Sequence, residues 1–281
     1  RRHTRYWRDW SSDVCSSDLR SDDMSTTFPS GPIDSDEAGV PDAPLVVLIH
    51  GTMDRGAGML KLSRRLDHSY RVLRYDRRGY GRSTPHSGPF GIEAQVADLI
   101  GLLEGRPAVL VGHSFGGNVA LAAAERYPSL VKGVVVYETP LSWEPWWPGT
   151  TAGAAAVGWA NDPAAAAEGF MRRLIGDDRW EALPERTRLT RRSEGAAMVG
   201  ELAGIRASRP WTAASIRLPL AVGYGERARP HHREGMTHLA QSIEGATLTV
   251  LPECGHAAPT THPDVFCDLL VEPLLARVPG W

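Results

Sequence analysis

The sequence predicts an α/β chain in which buried strands alternate with helices and one all-helical stretch interrupts the alternation. Three observations predict it. Leu45-Val46-Val47-Leu48-Ile49 is a continuous apolar run that leads straight into His50-Gly51-Thr52, and an unbroken apolar run of strand length before a turn signal marks a strand covered on both faces. Ala108-Val109-Leu110-Val111 is a second such run. It meets Gly112-His113-Ser114-Phe115-Gly116 and passes into the helix-like Gly117-Asn118-Val119-Ala120-Leu121-Ala122-Ala123-Ala124, which reads as strand, sharp turn, helix. Residues 141–216 hold no strand-like run, and their alanine-rich stretches 164–170 and 188–203 read as helices joined by Pro and Gly.

Taken from the N-terminus, residues 1–23 have no sustained period and lack the run of about 7–15 apolar residues of a secretory signal. They resemble a translated adapter or vector string, so Met24 is the expected native start; the alternative is a disordered native tail. Residues 24–44 are rich in Ser, Pro, Gly and Asp and are expected to form at most a short edge hairpin, leaving the sheet edge thinly covered. The core is expected over 24–140 and 217–281, with 141–216 as a helical cap. Val134-Val135-Val136-Tyr137, Leu218 to Tyr224, and Thr247-Leu248-Thr249-Val250-Leu251 supply the remaining strands.

The punctuation between these elements carries chemistry. A serine on a tight strand-to-helix turn has its hydroxyl pushed out at the top of the sheet, and flanking glycines let the backbone fold that sharply; Ser114 is the candidate nucleophile. His256, in Pro252-Glu253-Cys254-Gly255-His256 just past the last strand, is placed to act as general base. The backbone N–H groups of Thr52, after the His-Gly strand, and of Phe115, after the serine, are the expected oxyanion-hole donors. Thr52 is otherwise an ordinary turn residue, and Phe115 is expected to line the pocket as well.

With serine before histidine, the chain resembles the α/β-hydrolase family over roughly residues 40 to 280. The likeness rests on His50-Gly51, on Asp76-Arg77-Arg78-Gly79-Tyr80-Gly81-Arg82-Ser83, on the Ser114 turn and on Gly255-His256. The resemblance implies a mostly parallel central sheet flanked by helices, a Ser-His-acid triad and no cofactor. It also implies an acid after the penultimate strand, and here the chain departs from the pattern: Gly225-Glu226-Arg227-Ala228 puts Ala228 where an aspartate is expected. Glu138 and Glu226 are the two candidates. Glu138 is preferred, since some family members take their acid from the strand after the serine helix, whereas Glu226 lies earlier in its turn. The alternative for Glu138 is a carboxylate that bonds nearby backbone and shapes the cap entrance.

The expected activity is that of a carboxylesterase-like serine hydrolase acting on a small hydrophobic ester or related acyl substrate. Carbon–carbon bond hydrolysis, a lyase, a cofactor-free peroxidase-like activity and a slow-turnover ligand sensor stay open, because fold-level likeness does not choose among them. An epoxide hydrolase or dehalogenase of the usual kind is disfavoured, since those use an aspartate where this chain has Ser114.

The 141–216 stretch contains six of the nine tryptophans, three of them in Ser142-Trp143-Glu144-Pro145-Trp146-Trp147-Pro148. Trp143, Trp146 and Trp147 are candidate substrate-binding residues, the alternative being that they pack the cap onto the core. His231-His232 reads as a surface pair without a metal-ligand arrangement around it, and no metal site is expected. His50 is expected to brace the oxyanion turn and His113 to pack beside Ser114, while Asp54 and Arg55 either touch substrate or pair locally.

Composition narrows the partners. Across 281 residues with a net charge of −2 there is no basic footprint for nucleic acid, and no apolar stretch approaches the ~18–20 residues of a membrane span. Cys15 aside, Cys254 and Cys267 read as free thiols of a cytoplasmic protein. A small-molecule substrate and a monomer or homodimer are expected.

Overall fold

The computed structural model describes residues 31–281; the expectation for residues 1–23 and the first part of the 24–44 segment lie outside them. Seven strands form one sheet: β1 Ser35–Gly39, β2 Leu45–Ile49, β3 Arg71–Tyr75, β4 Ala108–His113, β5 Val131–Tyr137, β6 Leu220–Gly225 and β7 Thr247–Leu251. Their order is β1-β3-β2-β4-β5-β6-β7. Only β1 runs antiparallel, on β3; the other pairings are parallel.

The apolar runs behave as buried parallel strands should, with successive side chains facing opposite layers. Along β2, Leu45, Val47 and Ile49 join one apolar cluster, and Val46 and Leu48 join the other. In β5, Val134 and Val136 face the first layer and Val135 and Tyr137 the second. Helices α1 (Leu60–Leu66), α2 (Ile92–Leu103) and α3 (Phe115–Arg126) connect the early strands. The α2 and α3 side chains Leu99 and Val119 cover the first layer, whereas Leu62 of α1 and the C-terminal Phe266 and Leu270 cover the second.

Between β5 and β6 the regular elements are all helices: α4 Ala152–Gly158, α5 Pro163–Ile175, α6 Asp177–Glu181, α7 Glu185–Ser193, α8 Gly195–Ala207 and a short 3-10 turn at Ala213–Ser215, with α9 Pro230–Ser242 after β6. The continuous helix expected over 188–203 is instead two, broken where Glu194 turns into Gly195. A Cβ on Gly195 would stand 1.9 Å from the Pro163 carbonyl oxygen, so the chain can pass this close to α5 only as glycine. Within the described part of the 24–44 segment one strand forms, β1, exposed at every residue. Among the described residues no helix is long and apolar enough to cross a membrane.

The strand order places the site. After β2 the chain moves to one side for β3 and returns to the other side for β4, and ligands of open α/β sheets bind beyond the strand ends at such a reversal. His50-Gly51-Thr52 and Ser114 leave the ends of the neighbouring strands β2 and β4, in register at Ile49↔Gly112.

Candidate active site

Ser114 has φ 52° and ψ −124°, a conformation that costs a non-glycine residue on the order of 1–3 kcal/mol and persists only where neighbours enforce it. Those neighbours are packed glycines. A Cβ on Gly112 would lie 2.5 Å from the Gly117 Cα, and one on Gly116 would lie 2.3 Å from the Ile49 carbonyl oxygen, so β4, the turn and α3 fit together only with hydrogen at both positions. The Ser114 N–H donates to the Tyr137 carbonyl, 2.8 Å, which fixes the turn to β5. Phe115 opens α3, and the first N–H groups of a helix have no intrahelical acceptor. Its ring is fully buried and does not line the cavity.

Glu138 follows β5 directly and has φ 46°. Its N–H donates to the Gly223 carbonyl, 3.0 Å, in the neighbouring β6, and its side chain is buried. One carboxylate oxygen, Oε1, accepts from the Gly225 N–H at 3.1 Å. The other, Oε2, accepts from His256 Nδ1 at 2.7 Å. The His256 loop is held twice more. His113 Nε2–H donates to the His256 carbonyl, 2.8 Å, and the Tyr137 hydroxyl donates to the Gly255 carbonyl, 2.9 Å. Glu226 turns away: it is exposed, and its carboxylate accepts from the Glu253 N–H at 2.9 Å. Ala228 is buried and lines the cavity, filling the place where the family resemblance implies an aspartate.

The histidines beside the site are driven toward the neutral form by burial. His113 is pushed down to about 3, chiefly because desolvation disfavours its cation and secondarily because His256 is close. His50 is lowered well below its usual value, first by burial and then by the neighbouring Arg77 guanidinium. The bonds of His50 define its tautomer: Nε2 accepts from the Arg77 N–H, 2.9 Å, so Nδ1 carries the proton it donates to the Gly51 carbonyl, 2.7 Å. His50 thus ties the turn after β2 to the loop after β3.

Thr52 lines the cavity with Ser114 and His256. Its hydroxyl donates to Glu201 of α8, 2.6 Å. That carboxylate also accepts from Arg77, 2.5 Å, and from the Tyr80 hydroxyl, 2.7 Å, while Gln95 bonds both members of the Arg77–Glu201 pair. A single buried carboxylate therefore joins the helical insertion, the turn after β2 and the loop after β3. Nothing in the sequence pattern around Glu201 signals this, because the partner Arg77 is 124 residues away. Arg55 pairs with Glu194 at 2.6 Å rather than with Asp54, and neither Asp54 nor Arg55 lines the cavity.

Ser114, Glu138 and His256 lie on one cavity of about 410 Å³, whose other walls come from the insertion and from the start of α9. Of the three tryptophans expected on the substrate, Trp147 lines it. Trp143 and Trp146 do not line it. Trp143 stacks edge-on against Trp211 and donates its indole N–H to Glu144, and Trp146 packs on Trp147 and His238. His231 and His232 are not a surface pair: both line the cavity, and His232 stacks on His256 with ring centres 4.9 Å apart. Glu138, His232 and His256 bring donor atoms within 4.8 Å of one another. The Glu138–His256 hydrogen bond closes the space between two of them, and a cation would have to break it.

The model of the alpha/beta hydrolase family matches residues 46–269. Epoxide hydrolase 4 of Mus musculus is 31% identical over 108 residues, covering 37% of this chain and 30% of that protein. The pimeloyl-[acyl-carrier protein] methyl ester esterase of Chromobacterium violaceum is 28% identical over 247 residues, 82% of this chain and 94% of that protein. For the first six curated relatives the matched part is only 30–38% of their length. Among solved structures, the enol-lactonase from Burkholderia xenovorans LB400 superposes with a TM-score of 0.68 at 25% identity, covering 87% of this chain and 96% of that one.

Proposed function

The chain belongs to the alpha/beta hydrolase family, and from that premise we propose that it is a serine hydrolase that cleaves a small ester or related acyl substrate through Ser114, His256 and Glu138. The observation that carries the reading is the 2.7 Å bond from His256 Nδ1 to the buried Glu138 carboxylate, with His256 and Ser114 on the same cavity. With Nδ1–H committed to Glu138, Nε2 is the basic nitrogen. It takes the Ser114 proton as Oγ attacks the acyl carbon, and Glu138 stabilises the imidazolium that forms. The N–H groups of Thr52 and Phe115 receive the oxyanion, where one donor is worth about 10²- to 10³-fold in rate. His256 then protonates the leaving alcohol, and a water deprotonated by the same nitrogen cleaves the acyl-enzyme.

The helices of 141–216 act in this reading as a cap that encloses the acyl group and excludes water. An esterase and an enol-lactonase among the similar proteins agree with acyl transfer to water. Ser114 in place of an aspartate speaks against epoxide opening. A panel of aryl esters of increasing acyl length tests the proposal: saturable hydrolysis abolished by Ser114→Ala is expected, and turnover that survives Ser114→Ala overturns it.

A further inference from the structure

The cavity carries more positive charge than the proposed chemistry uses. Arg173, Arg206, Arg227 and Arg229 all line it, and its one lining carboxylate, Glu138, is committed to His256 and Gly225. Elsewhere the arginines meet acids, as in Arg55–Glu194, Arg77–Glu201, Arg78–Asp98 and Arg172–Asp177. Among the described residues, none of the four lining arginines forms an ion pair, and three of them are exposed, where water solvates the charge. Arg206 is different. It is half-buried near the C-terminal end of α8, its Nη2 donates to the Thr151 hydroxyl at 2.9 Å, and its Nε is buried without any partner. Desolvation lowers its pKa with no carboxylate nearby to offset the effect. A guanidinium does not give up its proton, so the unmatched charge persists in a site that shields it from water.

A half-buried guanidinium with one neutral partner and unused donors is complementary to a planar anion. The space beside it is kept open by Gly153, where a Cβ would stand 3.2 Å from Arg206 Nη2. Trp147, Phe170, Leu174 and Leu202 line the same cavity, which suits a short carbon chain between the anion and the scissile bond.

We propose that the substrate is a carboxylate-bearing ester or lactone, and that Arg206 is the residue that selects it by binding the carboxylate at the cap side of the cavity. The kinetic part of the test rests on the serine-hydrolase reading; the binding part does not. Methyl half-esters of the dicarboxylic acids from succinic to suberic are compared with methyl esters of the monocarboxylic acids of equal chain length. For the best half-ester, kcat/KM is expected to exceed that of its neutral match at least tenfold. This ratio should fall toward one in Arg206→Gln and be partly regained in Arg206→Lys. Equal use of charged and neutral esters by the wild type overturns the proposal, as does a ratio that survives Arg206→Gln. Should Arg206→Gln fail to fold, the wild-type ratio and Arg206→Lys decide. In parallel, thermal unfolding of Ser114→Ala is followed with the same compounds. The half-ester is expected to raise Tm and the neutral ester to leave it unchanged. Stabilisation by the half-ester without turnover by the wild type retains Arg206 as an anion site while removing the hydrolase reading. Turnover with no charge-dependent stabilisation or preference does the reverse.

Discussion

The strand-end floor of the cavity and its helical roof are built in different ways. On the floor each bond that anchors the chain has a main-chain group of a strand end or of the loop after β7 on at least one side. Ser114 is pinned to β5 through its own N–H, Glu138 is gripped by Gly223 and Gly225 of β6, and the His256 loop hangs from His113 and Tyr137. The roof reaches the cavity through side chains whose partners lie far off in sequence, Glu201 with Thr52 and Arg77, and Arg206 with Thr151. In the proposed reading, the reaction chemistry sits where parallel strands fix the main chain, and selectivity sits on a helix, where one side chain can change without disturbing the sheet.

The sharpest way to break this contrast is on the floor. Glu138→Gln should lower kcat by about 10³- to 10⁴-fold, because the amide can present its N–H to His256 Nδ1 and favour the wrong tautomer. Steady-state kinetics with one aryl ester measures this. Next comes the joint between the two regions. Glu201→Gln leaves Arg77 buried without its counterion, and breaking such a pair costs about 3–5 kcal/mol; urea unfolding should show that loss.

A pH titration of stability probes the histidines packed around the cavity. His113 has its folded pKa depressed to about 3, and His50 and His232 are also lowered by burial. The unfolded chain therefore binds more protons below its histidine pKa of about 6.5. Stability is fully present above that pH and is lost as pH falls from about 6.5 toward 3. Calorimetry should show Tm declining through this window, with a shallower slope in His113→Asn. The smallest effect is reserved for Glu226→Gln, which removes a charge from an exposed carboxylate that caps a turn: kcat should change less than about threefold, and stability by about 0.5 kcal/mol or less.

The fold and the floor were legible because their signals are local. An apolar run ending in His-Gly and a serine flanked by glycines each report a strand end within ten residues. Glu138 rests on the family resemblance, since no local signal gives its closeness to His256, which depends on β5 and β6 pairing in parallel, with Tyr137 opposite Gly223. The roof was much less legible. Tryptophan enrichment marked the insertion, but whether a given indole faces the cavity or its neighbours depends on how short helices turn, and of Trp143, Trp146 and Trp147 only the last lines it. His232 looked like a surface residue because the expected pattern gave no hint that the start of α9 leans over His256. Glu201 was silent for the same physical reason: its network spans elements that meet only in three dimensions.

Whether Ser114 is an activated nucleophile can be read from intact mass after treatment with a fluorophosphonate, run beside Ser114→Ala. A single phosphonyl adduct is expected on the wild type and none on the variant. Folded wild-type protein that takes up no adduct, or an adduct that persists in Ser114→Ala, would rule that role out.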